Sequence, residues 1–381
     1  MCGTFEYGLN AAAKEFDGKN KYIRITDIDD ASREFLLSDL SSPDICLDGM
    51  SKYLLSSGDI VFARTGASVG KTYIYRENDG IVYFAGFLIR AKVNQDNDAE
   101  FVFQSTLSPS YEKYIRITSQ RSGQPGVNAQ EYGEYDLFAP SKEEQQRIGH
   151  FLRGIDSLIT LHQRKYEKLQ VLKKAMLEKM FPKNGSSVPE IRFKGFTDAW
   201  EQRKVGELIE DYIEKTTVQN QYPVLTSSQQ QGVVFQEDYF ADRQVTTNDN
   251  IGYYVLPYGY FTYRSRSDTD VFVFNRNNII DKGIISYYYP VFLPKDCDSN
   301  FLLRRLNHGI KKQLSMAAEG TGQKVLAHNK FKNMIVDVPE IEEQQKIGLY
   351  FESLDHLITL HQRELEKLQN IKKSMLEKMF V

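Results

Sequence analysis

A long internal repeat limits the folds that this chain can adopt. The segment 143–181 recurs at 342–380 without a gap, at an offset of 199 residues, and 26 of the 39 aligned positions are identical. Upstream of the repeat, the same offset pairs only short pieces, such as SGQ (122–124) with TGQ (321–323). Because repeats determine architecture, the 381-residue chain is predicted to contain two half-molecules, each with a divergent globular head and a shared tail.

Each tail is predicted to form one long amphipathic helix. Its apolar residues recur at steps of three and four, the pattern of a coiled-coil seam, and neither tail contains a proline. A helix with one apolar stripe must bury that stripe, so we expect the two helices to pack against each other. The predicted seam residues are Ile148, Leu152, Ile155, Ile159 and Leu169 in the first tail, and Ile347, Phe351, Leu354, Ile358 and Leu368 in the second.

The heads are predicted to be strand-rich domains of the α+β class. Stretches such as KNKYIRITDID (19–29) and KTYIYREN (71–78) place β-branched and aromatic residues between Gly, Asn and Asp turns. The Pro/Gly/Ser-containing segment PKNGSSVPE (182–190) ends the first helix. The predicted division is a first head at 1–140, a first helix at 141–181, a linker at 182–196, a second head at 197–339 and a second helix at 340–381.

Several classes of enzyme are disfavoured. The segment ARTGASVGKT (63–72) resembles a phosphate-binding loop, but Thr65 stands where the first glycine is required, and β-forming residues follow instead of a helix. The letters GASVG (66–70) match a nucleophile elbow around Ser68, which would need a strand-to-helix turn and a suitably placed later histidine. The six histidines and three cysteines show no metal-ligand spacing. We therefore expect this chain to have no catalytic residue, metal or cofactor of its own.

Bulk properties restrict the partners only weakly. The formal net charge is −3, so any binding to nucleic acid would depend on local basic patches. No apolar run reaches the roughly 20 residues of a membrane helix, and no signal-peptide pattern opens the sequence. A cytoplasmic protein is expected.

Both heads carry side chains suited to reading DNA. Arginine, glutamine and asparagine pair with base edges, and cations contact phosphates. In the first head some of these residues lie on a glycine-containing turn between two predicted strands, and in the second head two arginines lie on one face of an extended strand. Each head also has a Gly-Gln loop shortly before the tail, although a solvated turn is the alternative for any one residue. The predicted contacts are Arg64, Thr65, Ser68, Lys71, Arg121, Gln124 and Asn128 in the first head, and Arg264, Arg266, Gln323, Lys324 and Asn329 in the second.

The tails, with the pattern EEQQ(R/K)IG…LITLHQR…EKLQ…MLEKMF, resemble the conserved helices of specificity subunits of type I restriction-modification systems. The heads resemble the target-recognition domains of those subunits, notably at 57–71 and 259–275. The resemblance implies a non-catalytic subunit in which each head reads one half of a bipartite DNA site. It also implies two antiparallel helices, with pseudo-twofold symmetry, that set the spacing between the half-sites.

The same resemblance implies partners. These are double-stranded DNA, two modification subunits that use S-adenosylmethionine to methylate adenine, and two restriction subunits that use ATP and Mg. A methylation-only complex without restriction subunits is an alternative. An alternative from a different class is a coiled-coil adaptor whose heads bind other proteins.

Two features of the repeat invite a structural explanation. The tails are identical even at positions predicted to face outward, such as Gln163 and Arg164, which favours docking of the same partner on both, although recent duplication would also produce identity. The second head is entered through RFKGFTDAWEQRKVGELIEDY (192–212), and at the repeat offset Trp200 aligns with Met1. The first half is therefore expected to lack this lead-in almost entirely, either because the natural start lies upstream or because the first head is trimmed.

Overall fold

The chain folds into two compact units that share the long helices. The computed structural model describes residues 1–120, 123–183, 186–240, 249–269 and 271–380. The first unit comprises Met1–Tyr166 and Leu360–Val381, and the second comprises Glu167–Thr359. Each unit therefore contains one head and a segment of each tail, so the units do not coincide with the two halves of the sequence.

The first unit is built on a four-stranded antiparallel sheet with strand order β1-β8-β5-β6. Alternate residues of the central strand face two different cores: Ile60 and Phe62 pack with the helices, whereas Val61 and Ala63 pack with the smaller strands, as the period of a β-strand requires. The elements are β1 Cys2–Tyr7, β2 Ala13–Glu15, β3 Lys21–Ile23, β4 Ser41–Pro43, β5 Ile60–Ala63, β6 Thr72–Ile74, β7 Val82–Phe84, β8 Leu88–Val93, α1 Ala99–Ser105, α2 Pro109–Thr118, α3 Ala129–Gly133 and α4 Lys142–Lys179.

The second unit contains a sheet of the same kind, with strand order β10-β18-β14-β16. Its largest core joins this sheet to the helices that follow it and includes the only tryptophan, Trp200. The elements are β9 Glu201–Lys204, α5 Val205–Leu208, β10 Ile209–Asp211, β11 Leu225–Ser228, β12 Gly232–Phe235, α6 Gln236–Tyr239, β13 Tyr254–Pro257, β14 Phe261–Tyr263, β15 Arg266–Ser267, β16 Phe274–Arg276, β17 Lys282–Ile285, β18 Val291–Pro294, α7 Ser299–Asn307, α8 Lys311–Ala317, β19 Lys324–Val325, α9 His328–Lys332, β20 Ile335–Val338 and α10 Ile341–Met379.

The long helices α4 and α10 run antiparallel within each unit. In the first unit the early part of α4 packs on the late part of α10, with Leu152 and Ile155 clustered against Leu376 and Phe380. In the second unit the order is reversed, since the late part of α4 packs where α10 begins. Across 1–120, 123–183, 186–240, 249–269 and 271–380, no helix has the length and apolar character needed to cross a bilayer.

The predicted seam residues differ in how much of each side chain is buried from solvent. Leu152, Ile155, Ile347, Phe351 and Leu354 are buried in the cores. Partly buried members packed against those cores are Ile148, Ile159, Leu169 and Leu368, while Ile358 is half-buried.

The end of the second tail departs from the simple heptad pattern. Met379 continues the steps of four and three beyond Leu368, but it is 36% exposed, whereas Leu376 and Phe380 are buried. The reason is that the helix end packs on the head as well as on its partner helix, with the Phe380 ring 5.0 Å from that of Phe101.

Identical residues of the repeat make equivalent ion pairs in the two units. In the first unit Lys372 Nζ lies 2.5 Å from Asp156 Oδ1. In the second unit Lys173 Nζ lies 2.5 Å from Asp355 Oδ1. Lys173 and Lys372 each lie on the apolar stripe, four residues after Leu169 and Leu368. Each is paired with an aspartate of the other tail, which explains why a cation is tolerated there.

Identical residues also fix each helix to its own head. Gln145 Oε1 accepts a hydrogen bond from the backbone N–H of Asp98 at 3.0 Å, and a Cβ atom added to Gly149 would lie 2.7 Å from Asp98 Oδ1. The second unit repeats both contacts with Gln344, Gly348 and Asp298. Part of the identity between the tails thus comes from intramolecular packing.

Candidate nucleic-acid interface

The structure brings the two predicted DNA-reading segments of the first head together. The backbone carbonyl of Arg64 accepts a hydrogen bond from the N–H of Val127 at 2.9 Å, and the N–H of Gly66 donates to the carbonyl of Pro125 at 3.0 Å. Gly66 has a φ of +73°, and a Cβ atom there would lie 3.0 Å from Gln124 Nε2. This φ lies in the left-handed region, which favours glycine at this position.

Arg64 sits on an exposed aromatic pair. Its guanidinium carbon lies 5.2 Å from the centre of the Tyr7 ring and 5.8 Å from that of Phe87. Tyr7 is 47% exposed and Phe87 is 57% exposed. Cation–π contacts of this kind hold an arginine in place while leaving its outer N–H groups available. Neither ring is among the residues predicted from the sequence to contact DNA.

Two buried tyrosines form hydrogen bonds to both ends of the turn between Ala63 and Gly70. The Tyr132 hydroxyl donates to the carbonyl of Ala63 at 2.6 Å and accepts from the N–H of Gly70 at 3.1 Å. The Tyr111 hydroxyl donates to the carbonyl of Gly70 at 3.1 Å. Burial raises the pKa of both tyrosines, so they remain neutral donors. The turn is therefore held rigidly at both of its ends.

Lys71 occupies a different environment from the one expected of a DNA contact. Its side chain is buried, with Nζ 2.5 Å from Asp30 Oδ1 and hydrogen-bonded to the carbonyl of Ile28 at 3.1 Å. A buried lysine whose ammonium group is already bonded to an exposed carboxylate and a backbone carbonyl is poorly placed to meet a phosphate. We therefore leave Lys71 out of the interface. Arg121 lies outside the described residues.

The remaining predicted residues of the first head surround the same turn. Thr65 forms a β-bridge with Gly126, and Ser68 lies in the 3-10 turn after Gly66. Gln124 is exposed. Asn128 is also exposed, but its Oδ1 caps α3 by accepting the N–H of Glu131 at 3.0 Å, which leaves its amide N–H₂ group as the part suited to a base.

In the second head the predicted segments are joined by a short two-stranded ladder. Strand β15 pairs with β19, with Arg266 opposite Val325 and Ser267 opposite Lys324. Gln323 donates from Nε2 to Asp268 Oδ1 at 3.1 Å, which orients the glutamine side chain. As in the first head, an arginine-bearing segment and a Gly-Gln loop form one surface.

Arg266 also lies over an exposed tyrosine. Its guanidinium carbon is 4.1 Å from the centre of the Tyr288 ring, and that ring is 4.3 Å from the ring of Tyr287. Tyr287 is 55% exposed and Tyr288 is 38% exposed. Arg264 and Asn329 are exposed as well. We call each arginine with its aromatic partners a platform: Arg64 with Tyr7 and Phe87, and Arg266 with Tyr287 and Tyr288.

A polar chain supports the second head at the end of β14. The Tyr263 hydroxyl lies 3.2 Å from His328 Nδ1, and His328 Nε2 lies 2.9 Å from Asp211 Oδ1. Lys332 Nζ lies 2.7 Å from Asp211 Oδ2. Burial acts to raise the pKa of Asp211, but hydrogen bonds from Lys332 and His328 outweigh it and leave that pKa lowered. A charged, fully bonded carboxylate here anchors α9 beneath the interface.

Two known proteins are similar to this chain over most of its length. The type I restriction enzyme MjaVIII specificity subunit of Methanocaldococcus jannaschii is 24% identical over 374 residues, which cover 91% of this chain and 83% of that protein. The crystal structure of the S subunit of the type I restriction-modification system of M. genitalium matches with a TM-score of 0.62 at 13% identity, covering 100% of this chain and 96% of that one. The second likeness concerns the fold alone.

The two halves of the chain match one domain family. The family described as "Type I restriction modification DNA specificity domain" matches residues 7–171 and again 197–370. Each match takes in one head with its interface and most of the tail that follows it. The chain therefore belongs to the family of type I restriction-modification DNA specificity proteins, in which its two domains recognise DNA sequence.

Proposed function

We propose that each platform, with the Gly-Gln loop bonded to it, reads one half of a bipartite DNA site. The observation that carries the proposal is that both heads, despite their different sequences, join an arginine-bearing segment to a Gly-Gln loop through backbone hydrogen bonds. A backbone-linked pair of loops can enter one groove as a rigid unit, which limits the entropy lost on binding.

The side chains of the platforms suit base recognition. An arginine fixed over aromatic rings offers a planar fork of donors to the O6 and N7 atoms of guanine. The exposed rings offer apolar surface to a thymine methyl group. Gln124 and Gln323 would pair with adenine, while Arg264 and Lys324 would contact phosphates and position the head.

The test is to remove each platform arginine separately. Arg64→Ala and Arg266→Ala are each expected to relax recognition at one position of one half-site, by about 5- to 150-fold, the range of a bidentate pair worth about 1–3 kcal/mol. The other half-site should keep its sequence preference. The readout is DNA binding to a library with randomised half-sites, and Arg153→Ala, an exposed arginine of α4, is the matched control. Equal loss at both half-sites, or no loss, would refute the assignment.

The affinity of these variants should also respond to salt. Binding by the wild-type chain is expected to weaken steeply as salt rises, because each phosphate contact releases counterions. Lys324→Ala should reduce the slope of log K against log salt by about one. A slope near zero for the wild type would instead favour the alternative of a protein-binding adaptor.

We further propose that the tails recruit modification subunits and that the complex also takes restriction subunits, in the cytoplasm. What supports it is the identity of outward residues in both tails, such as Gln163, Arg164, Glu167, Lys168 and Gln170. In this proposal S-adenosylmethionine is bound by the modification subunits, and ATP and Mg by the restriction subunits. Co-expression with each candidate subunit tests it: Arg164→Glu and Arg363→Glu together should abolish capture of the modification subunit without changing binding to DNA.

The lengths of α4 and α10 would set the spacer between the half-sites. Adding four residues, about one helical turn, to both helices should lengthen the spacer of the recognised site and preserve both half-sequences. The methylated sites in the genome of a cell that carries the lengthened chain provide the measurement. An unchanged spacer would exclude this role for the helices.

A further inference from the structure

The two heads share one more feature next to their interfaces, a short helix that ends where the Gly-Gln loop begins. In the first head this helix is α2, and in the second head it is α8. At the repeat offset of 199 residues, the positions that each helix buries in its head correspond. The matching buried pairs are Tyr111 with Ile310, Ile115 with Leu314, and, directly after the helices, Ser119 with Ala318. The two helices therefore turn the same face inward.

The opposite face of each helix presents an apolar residue to solvent. Ile117 in α2 is 59% exposed, and Met316 in α8 is 78% exposed. These two positions are equivalent at the repeat offset. Single exposed apolar residues are common on protein surfaces, but one at the same place in two heads of different sequence calls for a shared cause. Packing inside the head is not that cause, because both side chains face solvent.

A lysine lies one helical turn before each of these apolar residues. Lys113 precedes Ile117 by four positions, and Lys312 precedes Met316 by four positions. Residues four apart lie on the same face of a helix, and both lysines are exposed. Each head therefore carries a cation and an apolar side chain side by side. This combination suits a DNA duplex, which presents phosphates beside base edges.

The ends of these helices are bonded to the loops that form the candidate interface. In the first head the carbonyl of Ser119 accepts a hydrogen bond from the N–H of Gly126 at 3.2 Å, and Gly126 is also bridged to the arginine-bearing segment. In the second head Glu319 and Val325 exchange hydrogen bonds of 3.0 and 2.8 Å, and Val325 lies opposite the platform arginine. The exposed apolar residue of each head is thus two or three positions from backbone that is bonded to the Gly-Gln loop.

We propose that Ile117 and Met316 each contact the 5-methyl group of a thymine in the half-site read by its head. Lys113 and Lys312 hold the neighbouring phosphate. The inference rests on the proposed function, because it places these residues beside the platforms on the same DNA. In the major groove a thymine is distinguished by its methyl group, which an apolar side chain can cover. The lysine contributes affinity that does not depend on sequence, and the apolar contact contributes a preference for thymine.

The test combines a change in the protein with a change in the DNA. The probe is the duplex that the full wild-type chain selects from a library with randomised half-sites, with each thymine replaced in turn by uracil, which lacks only the methyl group. On the wild-type chain, one uracil in each half-site should weaken binding about fourfold, which corresponds to about 0.8 kcal/mol for one buried methyl group. Ile117→Ala should abolish the effect of uracil in one half-site alone, and Met316→Ala in the other half-site alone.

Matched controls remove exposed isoleucines elsewhere in the same heads. Ile81 is 39% exposed and Ile279 is 46% exposed, and they lie in the turns after β6 and β16, which leave the sheets at the ends away from the platform segments. Ile81→Ala and Ile279→Ala should change neither the affinity nor the response to uracil. Lys113→Ala and Lys312→Ala should each reduce the slope of log K against log salt by about one and leave the response to uracil unchanged.

The proposal is overturned if uracil has no effect that depends on the apolar residue, or if the effect is found in one head only. Alanine variants that weaken binding equally to thymine and uracil duplexes would also overturn it, and would indicate a wedge between base pairs instead. Failure of the proposed function gives a different result, in which the chain selects no sequence or is unaffected by the loss of Arg64 and Arg266. A chain that selects both half-sites without any such effect of uracil refutes the thymine contacts alone.

Discussion

A phenylalanine at the end of each long helix provides a test of the packing inside each unit. Phe181 is 2% exposed. The rings of Trp200, Phe301, His308 and Phe351 lie 5.7–6.0 Å from its own ring. Phe→Ala substitutions in cores cost about 3–5 kcal/mol. We expect Phe181→Ala to cost about 4 kcal/mol, because the large rings on several sides of Phe181 limit how far the cavity can close.

Phe380 is the equivalent residue of the first unit and is 5% exposed. Its ring has Phe101 at 5.0 Å and otherwise packs on aliphatic side chains. Fewer aromatic neighbours and a place at the end of the helix allow more relaxation, so Phe380→Ala should cost about 3 kcal/mol. Phe151→Ala is the control: this residue of α4 is 47% exposed, and its removal should cost less than about 0.5 kcal/mol.

Urea denaturation followed by two probes separates the units. Trp200 is the only tryptophan and lies in the second unit beside Phe181, so its fluorescence reports on that unit, whereas far-ultraviolet circular dichroism reports on both. With a slope of about 2 kcal/mol per molar urea, Phe181→Ala should lower the midpoint of the fluorescence transition by about 2 M. Phe380→Ala should lower mainly the midpoint of the dichroism transition.

The reasoning fails if Phe380→Ala behaves like Phe151→Ala. That result would mean that the end of α10 does not pack on the first head. The assignment of the late part of α10 to the first unit would then be wrong. A loss in the fluorescence transition that is as large for Phe380→Ala as for Phe181→Ala would instead show that the units unfold as one.

Three further predictions concern the helices. Gly149→Ala should destabilise the first unit by about 1–3 kcal/mol, because the added methyl group would lie 2.7 Å from Oδ1 of Asp98, which caps α1. Gly154→Ala has open space around it and should stabilise the unit by up to about 1 kcal/mol. Thermal melts of the two variants provide the comparison. A double-mutant cycle with Lys372→Met and Asp156→Asn should give a coupling energy of about 1 kcal/mol, since these side chains are only 15% and 29% exposed, and a coupling of zero would contradict the pairing. Burial, together with the histidine of the other helix and a nearby lysine, lowers the pKa of His361. The native state therefore binds fewer protons than the unfolded chain, and the free energy of unfolding should fall as pH drops below about 6.5. His361→Gln should flatten that pH dependence.

The helical tails could be predicted from the sequence because their signal is local and is repeated. Steps of three and four fixed the buried stripe at Leu152 and Phe351, and both residues are in the cores. What the heptad pattern could not contain was the contact with the head. Met379 follows the pattern but is displaced by Phe380, whose partner Phe101 lies in a part of the chain with no periodic relation to the tail.

The candidate interface was predictable as a set of loops but not as a set of contacts. Arginines in turns and a Gly-Gln motif in each head were visible in the sequence. The neutralisation of Lys71 by Asp30 was not, because 41 residues separate them and no local rule joins them. The platform rings were missed because sequence alone does not separate exposed from buried aromatic residues: Phe87 is exposed although the nearby Tyr83 and Phe84 are buried.

Because each unit contains segments of both long helices, the order of synthesis on the ribosome affects when the first unit can fold. The first unit includes Met1–Tyr166 but also needs residues from Leu360 onward. At about 5–20 residues per second, the intervening stretch takes on the order of 10–40 s to translate. Throughout that time the apolar stripe around Leu152 in α4 has no partner helix, and the first unit is completed only when the last turns of α10 emerge.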